Sequence, residues 1–97
     1  MVVISHKAIR AFCSKNRELE HPLDRWYKEA LKATWAKFSD VRQTCGSVDS
    51  VGNALFVFNI GGNKCRLIAR ILFKKRTLYI RFIGTHEEYD KVDLSKL

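Results

Sequence analysis

Ala54-Leu55-Phe56-Val57-Phe58-Asn59-Ile60-Gly61-Gly62-Asn63-Lys64-Cys65-Arg66-Leu67-Ile68-Ala69-Arg70-Ile71-Leu72-Phe73 decides the fold. Two runs of β-branched, aliphatic and aromatic residues flank a Gly-Gly pair, the pattern of a β-hairpin with a tight turn. Side chains alternate along a strand, so Cys65, Leu67, Ala69, Ile71 and Phe73 fall on one face and Lys64, Arg66, Ile68, Arg70 and Leu72 on the other. After a Lys74-Lys75-Arg76 turn, Leu78 to Ile83 reads as a third strand. Its Leu78, Ile80 and Phe82 form an apolar row and Tyr79, Arg81 and Ile83 lie opposite. Matching parity sets apolar against apolar, with Phe56 and Phe58 joining that side. The other side is left open, carrying Lys64, Arg66, Arg70, Tyr79 and Arg81.

Outward from this sheet, the N-terminal half supplies what covers its apolar face. Met1 to Ile4 is a short apolar run, an edge strand, ending at Ser5, a good helix N-cap. Ala8, Ile9, Phe12 and Cys13 then recur at helical spacing. A second helix has Pro22 in its first turn. Leu23, Tyr27, Ala30, Leu31, Thr34, Trp35 and Phe38 form its apolar face, and Asp24 to Lys28 and Arg25 to Glu29 its exposed i,i+4 pairs. Ser39 to Asn53 has no clear period and reads as a loop with room for one helical turn. Thr85 to Leu97 reads as a polar tail. The expected fold class is α+β: an antiparallel sheet with a mixed edge and two N-terminal helices on one face, ordered β-α-α-β-β-β.

Composition bounds the function. A chain of 97 residues, 46% hydrophobic and 29% charged, can offset its ordering entropy by burial and is expected to form one domain over residues 1–97. No apolar run is long enough for a membrane span or a signal-peptide core, so a cytoplasmic location and no membrane partner are expected. Cys13, Cys45 and Cys65 are odd in number and widely spaced, which speaks against a disulfide framework or a zinc knuckle. His6, His21 and His86 lack neighbours at metal-ligand spacing, so neither metal nor cofactor is expected.

Charge points to a polyanion. The formal net charge is +8, and between Asn53 and Gly84 stand seven basic residues and no acid: Lys64, Arg66, Arg70, Lys74, Lys75, Arg76 and Arg81. A one-sign stretch on a small protein concentrates phosphates. The bland alternative is that single arginines pair with Glu18, Glu29 or the acidic tail. Directly after the third strand comes Thr85-His86-Glu87-Glu88-Tyr89-Asp90-Lys91. Cleaving RNA without a metal requires the ribose 2′-OH to lose a proton, the 5′-oxygen to gain one, and fixed cations to hold the phosphate. His86, Tyr89 and Asp90 are candidates for the proton transfers, and Arg66 and Arg81 for clamping the phosphate through their planar forks. Lys64, Arg70, Lys74, Lys75, Arg76, Tyr79 and Lys91 are candidates for binding RNA around them. Each has an ordinary reading too: His86 as a surface residue, Tyr89 as a core plug, Asp90 as a cap.

Phe56 to Ile68, followed by Tyr79-Ile80-Arg81-Phe82-Ile83-Gly84-Thr85-His86-x-x-Tyr89-Asp90-Lys91, closely resembles the HigB family of RelE-like bacterial toxins. Val48-Asp49-x-Val51-Gly52-Asn53 and Ile4-Ser5-x-Lys7-x-Ile9 also follow its pattern, and the second helix matches most loosely. The resemblance implies an antiparallel sheet flanked by two helices and the toxin of a toxin-antitoxin pair that cleaves messenger RNA, typically on the ribosome. It implies a HigA-like helix-turn-helix antitoxin as partner, through which DNA is contacted only indirectly. The family's basic and His-x-x-Tyr-Asp positions fall on Lys64, Arg66, Arg81, His86, Tyr89 and Asp90. Cys65 departs from the pattern, which has a larger aromatic there. The competing reading is a non-catalytic RNA- or ribosome-binding protein using the same sheet. Such a sheet should display paired stacking aromatics, and only Tyr79 is well placed.

Overall fold

The computed structural model describes residues 1–97. In chain order it holds β1 (Val2–Ile4), α1 (His6–Cys13), α2 (Glu20–Lys32), α3 (Phe38–Thr44), β2 (Val48–Ser50), β3 (Leu55–Ile60), β4 (Cys65–Leu72), β5 (Thr77–Thr85) and α4 (His86–Asp90), with 3-10 turns at Arg17–Leu19, Phe73–Lys75 and Leu94–Lys96. One five-stranded sheet is ordered β1-β5-β4-β3-β2. β1 runs parallel to β5 and every other pair is antiparallel, which is the mixed edge expected from sequence. Ile60 pairs with Cys65, so Gly61 to Lys64 make the connection. Gly61 and Gly62 take φ of +66° and +71°, a region costly for side chains with a Cβ. No helix is long and apolar enough to cross a membrane.

The apolar face forms as alternation predicts. Cys65, Leu67, Ala69 and Ile71 of β4 and Phe56, Phe58 and Ile60 of β3 are buried against Ile9, Cys13, Leu23, Trp26 and Ala30 of α1 and α2. Trp26 meets Phe58 edge-on at 5.2 Å, and Phe38 stacks on Phe56 at 5.5 Å. All three cysteines are free. Burial raises the thiol pKa of Cys65 to about 12 and of Cys45 to about 11.

Four expectations need correction. The order β-α-α-β-β-β omits α3, β2 and α4. α3 and β2 lie in the stretch read as a loop, where Trp35 Nε1 donates to Thr44 Oγ1 at 3.0 Å and Val48 pairs with Phe58. Second, α2 stops at Lys32. Its last carbonyls are taken by the Met1 amine, which donates to Ala30, Leu31 and Ala33. Trp35 is buried from an extended segment instead. Third, the β5 alternation breaks. Ile68 pairs with Phe82 but Ala69 with Ile80, so Arg81 is an extra residue in a β-bulge. Phe82 is thereby moved to the face opposite the helices, and Ile83 takes its place against the main core.

Fourth, the second face is only half open. Beyond α4 the chain turns back across it, and Tyr89, Val92, Leu94 and Leu97 pack with Phe82 on Leu55, Val57 and Ile68. The apolar residues of that segment recur every two or three positions, with charged and polar residues between them that conceal the pattern in the sequence. The part of this face formed by β1 and the start of β5 is left without a covering segment.

Candidate active site

Strand register brings the candidate residues together. Arg66 stands opposite Gly84, and Cys65 opposite Thr85, so Lys64 and His86 extend from adjacent strand ends. Thr85 starts α4 with a capping box: its hydroxyl accepts from the Glu88 N–H at 3.2 Å, and its own N–H donates to Glu88 Oε1 at 2.9 Å. Reciprocal caps of this kind fix where a helix begins. Glu88 is thereby engaged in structure, and the spacing Thr-x-x-Glu makes this readable from sequence.

Within that one turn, His86 and Asp90 are i,i+4 neighbours with Nδ1 and Oδ2 3.4 Å apart. Both are exposed. A carboxylate on one imidazole nitrogen orients the ring and leaves Nε2 free to exchange a proton. Tyr89 points the other way. Its ring lies beneath Arg66, with the guanidinium carbon 4.5 Å from the ring centroid, and joins the small apolar cluster under the C-terminal segment. Arg66 Nε is buried with no partner, as is the Oδ1 of Asn59, its cross-strand neighbour. An unsatisfied buried donor on a guanidinium is costly and calls for an acceptor.

Arg81, the bulge residue, is exposed. Gly84 completes the local fit: a Cβ there would meet Phe82 Cζ at 2.5 Å and Glu88 Cβ at 3.1 Å. Phe82 therefore sits against a bare backbone position, and α4 can close on the sheet beside it. Neither the bulge nor this seat was anticipated from the sequence.

The remaining candidates divide between the two ends of the sheet. Lys64 and Lys91 are exposed near His86, whereas Lys74, Lys75 and Arg76 form the turn before β5, eight residues of strand away, roughly 26 Å at the usual rise. Tyr79, half-buried, stands between them, flanked by Ile4 and Arg70. Arg70 is diverted: its Nη2 donates to the Leu97 carbonyl at 3.0 Å. None of the seven cations is in an ion pair with Asp or Glu. The pairs that form are Lys28–Asp24 and His86–Asp90, so the pairing of these arginines with distant acids does not occur. The largest cleft, about 730 Å³, lies elsewhere, between α1 and α2. It mixes Arg10 and Arg17 with Glu18, Glu20 and Asp24 and offers no one-sign field. No three His, Cys, Asp or Glu side chains converge as a metal-binding group.

A mixed sheet with α1 and α2 on one face, unneutralised cations on the other and a capped turn carrying a His–Asp pair at one end fits the RelE-like class of toxins. Residues 19–92 match the HigB toxin family, described as the RelE-like toxic component of a toxin-antitoxin system, and the chain belongs to that family. Among relatives, the mRNA interferase toxin HigB of Escherichia coli is 29% identical over 92 residues, covering 93% of this chain and 88% of that protein. The mRNA interferase HigB of Shigella flexneri matches to the same extent. A HigB from another Escherichia coli strain is 40% identical over 40 residues, 41% of this chain and 39% of its own length.

Proposed function

We propose that this toxin is an endoribonuclease that cuts messenger RNA in the cytoplasm, dependent on the translating ribosome, and so arrests growth. The observation that carries this reading is the juxtaposition at one sheet end of a His86–Asp90 pair and an Arg66 guanidinium held on Tyr89. Arg66 and Arg81 hold the scissile phosphate as the 2′-oxygen attacks, spreading the charge that develops on the equatorial oxygens. His86, oriented by Asp90, transfers a proton at the 2′-oxygen or the leaving 5′-oxygen. The step needs no metal, because the nucleophile is supplied by the substrate itself. Lys64 and Lys91 contact neighbouring phosphates, and Lys74, Lys75, Arg76, Tyr79 and Arg70 guide the strand or ribosomal RNA farther along the sheet. The whole chain acts as one domain. Its partner is a HigA-like helix-turn-helix antitoxin, through which any contact with the operon's DNA is made.

The test is to induce wild type, His86→Ala and Arg81→Ala without antitoxin and to map transcript 5′ ends. New ends within coding regions are expected for wild type and not for either variant, with circular dichroism unchanged. Growth arrest without new ends would favour a non-cleaving RNA binder. Cleavage of naked transcript at the same rate as ribosome-bound transcript would remove the ribosome from the proposal.

A further inference from the structure

We propose that the outer edge of β1 is the docking strand for the antitoxin, which adds an extended, acidic and alternately apolar segment beside Val2–Ile4 as a sixth strand. The proposal rests on the family membership, which supplies a protein partner, and it specifies where and how that partner sits.

Val2 and Ile4 are 56% and 44% exposed, the two most exposed large hydrophobic residues in the molecule, with Leu31 next at 43% beside the Met1 amine. Exposed aliphatic side chains clustered at one sheet edge mark an interaction site more often than chance exposure does. Edge position supplies the second half. β1 ends the sheet, and the Val2 N–H donates inward to the Arg76 carbonyl at 2.9 Å. Successive backbone groups point to opposite sides of a strand, so the N–H and C=O of Val3 face outward with no strand beyond them. Natural edges are blunted by shortness, lysine, proline or a bulge; Val2-Val3-Ile4 is short but carries no lysine, proline or bulge. Its counterpart at the far edge, β2, carries Asp49.

Charge selects the occupant. Lys74, Lys75 and Arg76 form the turn leading into Thr77, the register partner of Val2, and Lys7 and Lys32 are exposed on the helices flanking β1. None of these is ion-paired. An acidic strand satisfies them, while its backbone pairs with Val3 and its alternate apolar side chains cover Val2 and Ile4. RNA supplies no ladder of N–H and C=O groups, and Val and Ile offer no ring on which a base can stack.

Two variants and one exchange measurement test this with the purified toxin and the antitoxin encoded beside it. Val3→Pro removes the outward N–H and leaves the inward bonds of Val2 and Ile4 to β5 intact. Antitoxin affinity is expected to fall about tenfold from the lost ladder bonds and strand distortion. Ile4→Glu should weaken binding more than Ile4→Lys, because the partner segment is acidic. In the wild-type complex the Val3 amide should exchange with solvent far more slowly than in free toxin. Both edge variants should still cleave transcripts when antitoxin is absent. An unprotected Val3 amide in the complex, or Ile4→Glu binding as wild type does, would overturn the proposal. So would loss of cleavage in both folded variants with antitoxin affinity unchanged, since the edge would then belong to RNA. Cleavage and antitoxin affinity are separate readouts, so a toxin that fails to cut RNA is distinguished from an edge that fails to bind.

Discussion

Tyr89 separates a positioning role from a chemical one, and two substitutions decide between them. Its ring lies 4.5 Å from the Arg66 guanidinium carbon, in a half-buried setting where the Nε has no other partner. A partly desolvated cation over an aromatic face gains about 1–2 kcal/mol. If that energy holds Arg66 where the scissile phosphate arrives, Tyr89→Ala should lower kcat/KM about five- to thirtyfold, at 1.36 kcal/mol per decade. Arg66→Ala removes the cation altogether and should cost roughly 10²- to 10³-fold, the usual effect of deleting one transition-state donor. Tyr89→Phe keeps the ring and its quadrupole, and activity should stay within about threefold of wild type. The assay is single-turnover cleavage of a messenger stalled on ribosomes, with thermal melts showing each variant folded. Should Tyr89→Phe fall as far as Tyr89→Ala, the hydroxyl takes part in proton transfer and the platform account of Tyr89 is wrong.

Three further outcomes are expected. Gly84→Ala drives a methyl to 2.5 Å from Phe82 Cζ; overpacking of this kind costs about 1–3 kcal/mol, or roughly 4–24 °C in Tm for a chain of this size, and an unchanged Tm would refute the seat described for Phe82. Burial raises the Cys65 thiol from 9.0 to about 12, so as pH passes 9 the unfolded chain releases a proton that the folded chain retains. Stability should therefore decline between pH 9 and about 12, and urea midpoints of wild type minus those of Cys65→Ala should lose their pH dependence only if the thiol is not its source. Replacing Lys74, Lys75 and Arg76 together with Ala should make the slope of log affinity for single-stranded RNA against log salt shallower by about 2, from roughly 0.7 per phosphate contact; an unaltered slope would mean that this end of the sheet stands clear of the strand.

The hairpin was legible because both its signals are local: β-branched runs and a Gly-Gly turn, with alternation placing Cys65, Leu67, Ala69 and Ile71 on the face that does meet the helices. The cluster around His86 was legible for the same reason, since one turn of helix fixes which of its residues are neighbours. What escaped was non-local. No residue type marks Arg81 as a bulge, and the register shift is set by how β4 and β5 pair over their whole length. Trp35 and Phe38 keep the helical spacing of α2, yet they belong to a different segment because the N-terminus caps that helix from across the fold. The covering role of Val92, Leu94 and Leu97 was hidden by the charged residues between them.

That covering segment and the bulge together explain how one sheet face can serve two purposes. With a regular strand through Arg81, alternation would have sent Phe82 toward the helices and left the part of β5 beside α4 with no aromatic to anchor the returning chain. With the bulge, Phe82 and Tyr89 build an apolar patch over Leu55, Val57 and Ile68, and the Tyr89 ring of α4 lies against the Arg66 guanidinium. The exposed Arg81 directly precedes Phe82 in the strand, beside the patch that Phe82 joins. On the far side of Arg81 the face runs from half-buried Tyr79 to the exposed aliphatic side chains of Ile4 and Val2. The bulge thus lies between the His86 end of the sheet and the aliphatic edge proposed above for a protein strand. A single bulge in this way leaves one cation exposed and seats the aromatic residue against which α4 and the returning chain pack.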